Sequence, residues 1–399
     1  MEWQDIHQIY ALPNPTIPID HDANSWYRHN CDTIFENPIE IQDNASINSR
    51  KIHLRPTAKQ ANKMLIWHKI YNQIYNIALS TFNRLGRVST RMSLRNIVKR
   101  NLTDNMKRKI KSCGIPAHTV SYAIFDVINA YNAARAKGGA FRLRRKKSIN
   151  GSMAIELSSI KKTGIAVRAL GPMAAQPGFS FESVKMGCRL KKENTGFYLY
   201  VPYKVNKKRF DTDLVCGLDP GIRTFQTAYQ PNGAVYDICT NYEARIRPIL
   251  ERIDRIADIP EARRCKLRLY EKIKHLTEDM HWKTIKWLTS KYRKIHIGKI
   301  STSGIVRQED FNRMQKRLML AQSHFTFRMR LKAKCAEYNV DFVEVNEHHT
   351  SVTCGNCRAR HQNLGGNKVY DCVNCGYHAD RDANAARNIL IRGVTNRQD

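Results

Sequence analysis

The spacing of apolar residues changes period along the chain and divides it into blocks. Lys51-Ile-His-Leu-Arg-Pro56 alternates polar and apolar positions and stops at a proline, which predicts one short strand. From 57 to about 137 the apolar residues return at helical spacing, first Leu65, Ile66, Ile70, Ile74, Ile77 and Leu79, then Val120, Ala123, Ile124, Val127, Ile128 and Tyr131. Trp67, Tyr71, Tyr75 and Phe82 fall on the same helical spacing and are expected in a core. Gly138-Gly139 ends this block, and Phe141-Arg-Leu-Arg-Arg-Lys-Lys147 opens a β-rich stretch. Within that stretch, 179–190 and 197–205 read as a hairpin joined through Lys-Lys-Glu-Asn-Thr-Gly. If the strand at 51–56 joins the same sheet, the helices are an insertion into a small β-barrel.

A third block opens with three adjacent strand patterns, Leu214-Val-Cys-Gly-Leu-Asp219, Arg223-Thr-Phe-Gln-Thr-Ala-Tyr229 and Gly233-Ala-Val-Tyr-Asp237, separated by Gly and Pro turns. One long helical pattern follows over about 241–292, then a strand at Lys294-Ile-His-Ile-Gly-Lys-Ile300 and a helix over 309–338. Val340-Asp-Phe-Val-Glu-Val345 is a fifth strand, and 383–391 a closing helix. Meander, helix, strand, helix, strand, helix is the order of an RNase H-like fold. The expected class is therefore a multidomain α+β and α/β chain.

Composition narrows the partners. Lys and Arg number 67 against 35 Asp and Glu, a formal net charge of +32 over 399 residues. Self-repulsion on that scale favours a polyanionic partner, and nucleic acid is the expected one. No apolar run of about eighteen residues and no signal peptide occur, so a membrane partner is not expected and the chain reads as soluble and intracellular. Cys31, Cys113, Cys188, Cys216, Cys239, Cys265 and Cys335 stand singly in apolar surroundings, as free buried thiols do in a reducing compartment. No G-x-x-x-x-G-K-[ST] run supports an ATP-driven role.

Two constellations carry chemistry. Cys354-x-x-Cys357 and Cys372-x-x-Cys375 supply four thiolates at zinc-ribbon spacing, each pair in a Gly- and Asn-containing turn. Two disulfides are the alternative. Asp219 ends an apolar strand in Gly217-Leu-Asp-Pro-Gly221, and Asp380 and Asp382 open the last helix, where either can be the N-cap. In an RNase H-like site, such an aspartate and two further carboxylates bind two divalent ions about 3.5 to 4 Å apart that activate water and stabilise the leaving oxygen of a phosphodiester. Magnesium or manganese suits all-oxygen donors. An ordinary Asp-Pro-Gly turn is the alternative at Asp219.

Gly217-Leu-Asp-Pro-Gly-Ile222, His281-Trp-Lys283, Thr350-Ser-Val-Thr-Cys354-Gly-Asn-Cys357, Cys372-Val-Asn-Cys375-Gly and Asp380-Arg-Asp-Ala-Asn-Ala-Ala-Arg-Asn-Ile389 resemble the transposon-encoded TnpB family of RNA-guided endonucleases. More loosely, Lys51 to Pro56 and Tyr75-Asn76 resemble its opening strand and first recognition helix. Residues 1–50, Asn- and Pro-containing and weakly periodic, read as an N-terminal extension without a counterpart in that family, and the resemblance implies a wedge-like β-barrel over 51–57 and 138–212 and a helical recognition domain over 58–137. It further implies a RuvC-like nuclease over 213–351 and 378–399, with a zinc ribbon over 352–377. It makes Asp219 and Asp382 catalytic and the four cysteines ligands of one structural zinc. It also implies a guide RNA of the omega type, one protein per guide, double-stranded DNA as target, and two Mg2+ or Mn2+ ions at the nuclease site.

One departure matters. Where the family usually carries a glutamate at the end of the fourth strand, this chain has Gly298, in Ile297-Gly-Lys-Ile300. Either the nuclease is inactive, or the acid comes from Glu347 or Glu344 further on. The Fanzor relatives resemble this chain in using a later glutamate, which favours Glu347 and implies a nuclear protein if a eukaryote or its virus encodes it, otherwise a cytoplasmic one. Arg142, Arg144, Arg145, Lys146 and Lys147, with Arg245 and Arg252 on the long helix, are candidate phosphate contacts. His348 and His349 are expected at the site edge or in packing, since four cysteines already saturate a zinc. An RNase H-like transposase acting without a guide, and a zinc-dependent regulator without an active site, are the competing classes.

Overall fold

Thr57 caps the first long helix from both sides: its hydroxyl accepts from Gln60 N (3.3 Å) while the Gln60 side chain accepts from Thr57 N (2.9 Å). This helix, α1 (Ala58–Arg84), belongs to a computed structural model that describes residues 19–21, 39–87, 89–136, 138, 141–147, 151–300, 304, 311–361, 364–365 and 367–395. They divide into two units, Met1–Ser46 with Asn206–Asp399, and Ile47–Val205. Strands β1 (Ile19–His21) and β2 (Ile39–Arg55) lie within the expected 1–50 extension or run out of it, and most of that segment lies outside the described residues.

In the Ile47–Val205 unit, α1 is followed by α2 (Arg91–Arg100), α3 (Asp104–Cys113) and α4 (Ala117–Arg135). The expected aromatic stripe is inside, with Trp67, Tyr71, Tyr75 and Phe82 all buried, whereas Ile66 faces solvent. Strands β3 (Ser152–Ile155), β4 (Ala174–Ala175), β5 (Cys188–Glu193) and β6 (Gly196–Arg209) join β2 in a five-stranded sheet of order β3-β5-β6-β2-β4. The order is open at β3 and β4 among the described residues, so the expected barrel is found as a sheet. Two strand expectations are corrected. Residues 141–147 form no strand, and 179–187 hold a 3-10 turn at Phe181–Ser183, leaving the hairpin to β5 and β6 with Glu193 paired to Gly196.

The other unit is built on a six-stranded sheet. β7 (Val215–Pro220), β8 (Gln226–Tyr229) and β9 (Val235–Ile238) form the expected antiparallel meander. β10 (Lys294–Gly298) runs parallel to β7, β11 (Asp341–Val345) parallel to β10, and β1 adds a parallel edge on β9, giving β1-β9-β8-β7-β10-β11. The single helix expected over 241–292 is two, α5 (Tyr242–Arg255) and α6 (Arg263–Lys291). Pro260 has no N–H to donate and holds Ile259 extended, which interrupts the helix. The 309–338 pattern likewise splits into α7 (Arg313–Gln322) and α8 (His324–Glu337) at Ser323, whose φ of 52° is left-handed.

Alternation along the strands sorts the two faces of this sheet. Cys216, Leu218, Ile295 and Ile297 pack with Tyr242, Ile246, Leu288, Phe327 and Leu331 from α5, α6 and α8. On the opposite face Tyr229 and Val235 meet Ala383, Ala386 and Leu390 of α9 (Arg381–Thr395). Gly217 lets α9 come close: a β-carbon there would sit 2.8 Å from Leu390 N and Cβ. Between β11 and α9 a small hairpin, β12 (Val369–Asp371) with β13 (His378–Asp380), carries Cys372 and Cys375, while Cys354 and Cys357 lie in the preceding turn closed by the Thr353–Arg360 bridge. No helix among the described residues is long and apolar enough to cross a membrane.

Candidate nuclease site and its zinc ribbon

Because side chains alternate, Asp219 shares the face of Gly217 and so looks toward α9 rather than into the helical core. Residue 298 shares that face too, since Ile295 and Ile297 point the other way and β10 pairs in register with β7 through Ile297 and Leu218. The strand ends of β7 and β10 and the start of α9 therefore converge on one edge. At that start, Asp380 Oδ1 accepts from the N–H of Asp382 (2.8 Å) and of Ala383 (3.1 Å). Asp380 is thus the N-cap, which leaves the Asp382 carboxylate, in the first turn, available to the edge.

Glu347, two residues past β11, completes the group. Its side chain fills the space that a side chain at 298 would take: a β-carbon built on Gly298 would lie 2.6 Å from its Cγ and 2.7 Å from its Cδ, with Oε1 nearer still. Glu344, by contrast, sits inside β11 opposite Ile297, and its carboxylate faces Arg328 Nε at 3.7 Å. The structure brings Glu347 to Asp219 and turns Glu344 toward Arg328.

Electrostatics register the crowding. Burial raises the Asp219 carboxyl well above its ordinary range, and the neighbouring charges of Asp382, Glu347 and Asp380 push the same way against Arg381. Burial lifts Glu347 to about 8, opposed by Arg328, and raises Asp382 with help from Asp380 and against Arg381, Arg223 and Lys368. Glu347 Oε1 is buried without a hydrogen-bond partner. A buried, unpartnered carboxylate oxygen beside two other acids fits hard divalent cations, whose charge would relieve the repulsion that raises these groups.

The four ribbon cysteines meet as the spacing predicts. Every pair of their Sγ atoms lies within 4.8 Å, with Cys354 to Cys375 at 3.7 Å and Cys357 to Cys372 at 3.5 Å. These separations exclude disulfides, which need about 2.05 Å, and fit four thiolates around one zinc. Backbone N–H groups of Asn356 and Cys357 each donate to Cys354 Sγ at 3.4 Å, and Asn374 Nδ2 donates to Cys357 Sγ at 3.4 Å. Burial pushes Cys354 up to about 12, while Cys357 is held near 6, against burial, by Asn374 and the Ala359 N–H among others.

α9 grips the strand-to-ribbon segment with side chains four residues apart, which the sequence did not announce. Asn384 Nδ2 donates to Thr353 O (2.9 Å) and its Oδ1 accepts from Gly355 N (2.8 Å). Asn388 Nδ2 donates to Thr350 O (2.9 Å) and Thr353 O (2.7 Å), and its Oδ1 accepts from Arg358 Nη1 (2.8 Å). Asn384 is buried against the ribbon backbone. His348 and His349 are exposed, with their rings in T-shaped contact and outside the cysteine cluster.

The basic candidates separate by environment. Arg142, Arg144, Arg145 and Lys147 are exposed. Lys146 points inward: its ammonium lies 4.2 Å from the Tyr75 ring, 5.0 Å from the Tyr71 ring and 3.8 Å from Asp126, and its backbone exchanges two hydrogen bonds with the Asn76 amide. On α5, Arg252 is exposed and Arg245 half-buried.

Residues 324–389 match the model of the Cas12f1-like TNB domain. The chain is 25% identical over 446 residues to TnpB-like protein L79 of Acanthamoeba polyphaga mimivirus, covering 94% of this chain and 84% of that relative. It is 26% identical over 470 residues to TnpB-like protein L770 of the same virus, covering 98% and 87%. A 95-residue stretch is 26% identical to the CRISPR-associated endodeoxyribonuclease Cas12f1 of Sulfoacidibacillus thermotolerans, 23% of this chain and 22% of that protein. Among solved structures, CasPhi-2 (Cas12j) bound to crRNA is similar at a TM-score of 0.44 and 10% identity, over 91% of this chain and 99% of that one. The fold and cysteine cluster define a mixed α/β protein with a ribbon-bearing RNase H-like sheet. Over most of its length the chain is similar to TnpB-like proteins.

Proposed function

We propose that this chain is an RNA-guided DNA endonuclease that hydrolyses phosphodiester bonds of target DNA, next to a short flanking motif, at one site formed by Asp219, Glu347 and Asp382. The observation that carries this reading is the placement of Glu347 over Gly298, beside Asp219 and the first turn of α9. It restores a third carboxylate to an edge where β10 itself offers none. That arrangement weighs against an inactive, binding-only protein and supports the Fanzor-like relocation of the acid. The TnpB-like and Cas12f1 relatives support the nuclease class.

In this reading Asp219, Glu347 and Asp382 would hold two Mg2+ or Mn2+ ions, which when bound would supply activation of water and charge stabilisation for the leaving oxygen. The chain's own part is positional. β7 presents Asp219 at its carboxyl end, the Asp380 cap fixes the first turn bearing Asp382, and burial keeps bulk water from the Glu347 carboxylate. The ribbon cysteines hold one structural zinc. A guide RNA of the omega type, one protein per guide, would pair with the target strand while the protein holds the heteroduplex through backbone charge. Exposed Arg142, Arg144, Arg145, Lys147 and Arg252 supply part of that charge.

The test is programmable cutting. The protein is purified with the RNA that it retains, the guide segment is rewritten, and plasmid libraries with randomised flanks are challenged in magnesium. Guide-dependent cleavage lost in Asp219→Ala supports the reading. Binding without cutting favours the inactive binder, and cutting or end-joining without RNA favours a transposase.

A further inference from the structure

A glutamate carried by a loop needs more support than one carried by a strand, because backbone freedom in the loop becomes freedom of the carboxylate. The polar stripe of α9 continues past Asn384 and Asn388 to Arg392, again four residues on, so the three side chains lie on one helix face. Arg392 Nη1 donates to His348 O (2.6 Å) and Asn346 O (3.2 Å), the carbonyls on either side of Glu347. The successive contacts at Thr353 and Gly355, at Thr350, and at Asn346 and His348 show the 346–355 segment running along α9 in the opposite direction.

The loop has bonds of its own. Asn346 Oδ1 accepts from His348 N (3.1 Å), and Glu347 O accepts from both the N–H and the hydroxyl of Thr350 (3.0 Å each). Those bonds shape the turn but attach it to nothing else. Lys299 N donates to Val345 O (2.9 Å) before the turn, and Asn388 holds Thr350 after it. Between those anchors, Arg392 ties the turn itself to the rigid element that also carries Asp382.

We propose that Arg392 is a positioning residue: by binding the carbonyls of Asn346 and His348 it fixes the Glu347 carboxylate above Gly298 and in register with Asp382 on the same helix. The inference rests on the nuclease reading of this site. Arg392 touches no reacting atom; it is the support that the move of the acid from strand to loop requires.

The experiment uses the full chain with its RNA. Amide hydrogen exchange over 346–350 is compared between the native protein and Arg392→Ala, alongside guided cleavage and target binding. Faster exchange in that segment, unchanged RNA and target binding, and cleavage slower by about 10- to 100-fold are expected, the range for losing a group that orients a ligand. A second background separates positioning from folding. In Gly298→Glu with Glu347→Gly the acid returns to the strand, and there Arg392→Ala should leave cleavage unchanged. Unchanged exchange in Arg392→Ala, or an equal loss of cleavage in the strand-acid background, overturns the proposal. A native complex that binds target and never cuts overturns the nuclease reading itself, and is seen before any variant is made.

Discussion

The side chain of Glu347 occupies the space above Gly298 that a residue with a β-carbon would fill, its Cγ and Cδ 2.6 and 2.7 Å from where that carbon would be. The missing side chain on β10 and the acid on the following loop are therefore one feature. The glycine is required because the glutamate is there.

Gly298→Ala should consequently damage the site more than the fold. The added methyl meets the glutamate stem at well under contact distance, so the carboxylate must swing away. Guided cleavage is expected to fall by about 10- to 100-fold, with a stability loss of about 1–3 kcal/mol for overpacking. Parallel cleavage and urea titrations check this; a Gly298→Ala protein that cuts normally would show that Glu347 is free to act from elsewhere.

Zinc removal should act at a distance from the cysteines. The ribbon is stitched to α9 through Asn384 and Asn388, and the same segment leads back to Glu347. One zinc per chain is expected by elemental analysis. Chelation, or Cys372→Ser, should lower the melting temperature and speed hydrogen exchange over 346–355 as well as within the ribbon. Loss of zinc that leaves 346–355 protected would disconnect the two.

Asn388→Ala removes a buried amide that serves two carbonyls and the Arg358 guanidinium. Thr353 O keeps its bond from Asn384, but leaving Thr350 O unsatisfied costs about 1–3 kcal/mol, and a loss of that size is expected by denaturant titration. A cost under 0.5 kcal/mol would mean that water replaces the amide.

The raised carboxyls set a pH dependence for the metal-free protein. Glu347 titrates near 8 when folded and near 4.5 when unfolded, so the unfolded chain gives up its proton first as pH rises. Its stabilising contribution is whole below about 4.5 and lost as pH climbs through about 8. The raised Asp219 and Asp382 act in the same direction. Glu347→Gln should therefore melt higher than the native protein at pH 8 without divalent ions, by about 2–4 °C per kcal/mol recovered, and show no advantage at pH 4.5. Adding Mg2+ or Mn2+ at pH 8 should stabilise the native protein and not the variant. Equal melting temperatures throughout would remove the acids from the stability balance.

Much of this site was legible in the chain because its parts are local patterns. Two Cys-x-x-Cys pairs, an aspartate closing an apolar strand, and an acidic helix start each declare themselves within a few residues. The choice of Glu347 over Glu344 rested on resemblance alone, since the contacts that separate them, Glu344 with Arg328 and Glu347 over Gly298, join elements far apart in sequence. The two helix breaks were missed for different reasons. Pro260 is a visible signal, but amphipathic spacing continues across it; Ser323 carries none, since a serine does not by its type mark a left-handed backbone. Lys146 reads like its exposed neighbours until Tyr75, Tyr71 and Asp126 are brought around it.

The most direct test compares four proteins in one guided cleavage assay: native, Asp219→Ala, Glu347→Ala and Glu344→Ala, each loaded with the same rewritten guide and matched plasmid. Cutting by the native and Glu344→Ala proteins, with none by Asp219→Ala or Glu347→Ala and target binding intact in all four, is the result predicted here. Full cutting by Glu347→Ala, or its loss in Glu344→Ala alone, would contradict the assignment of Glu347 as the third acid.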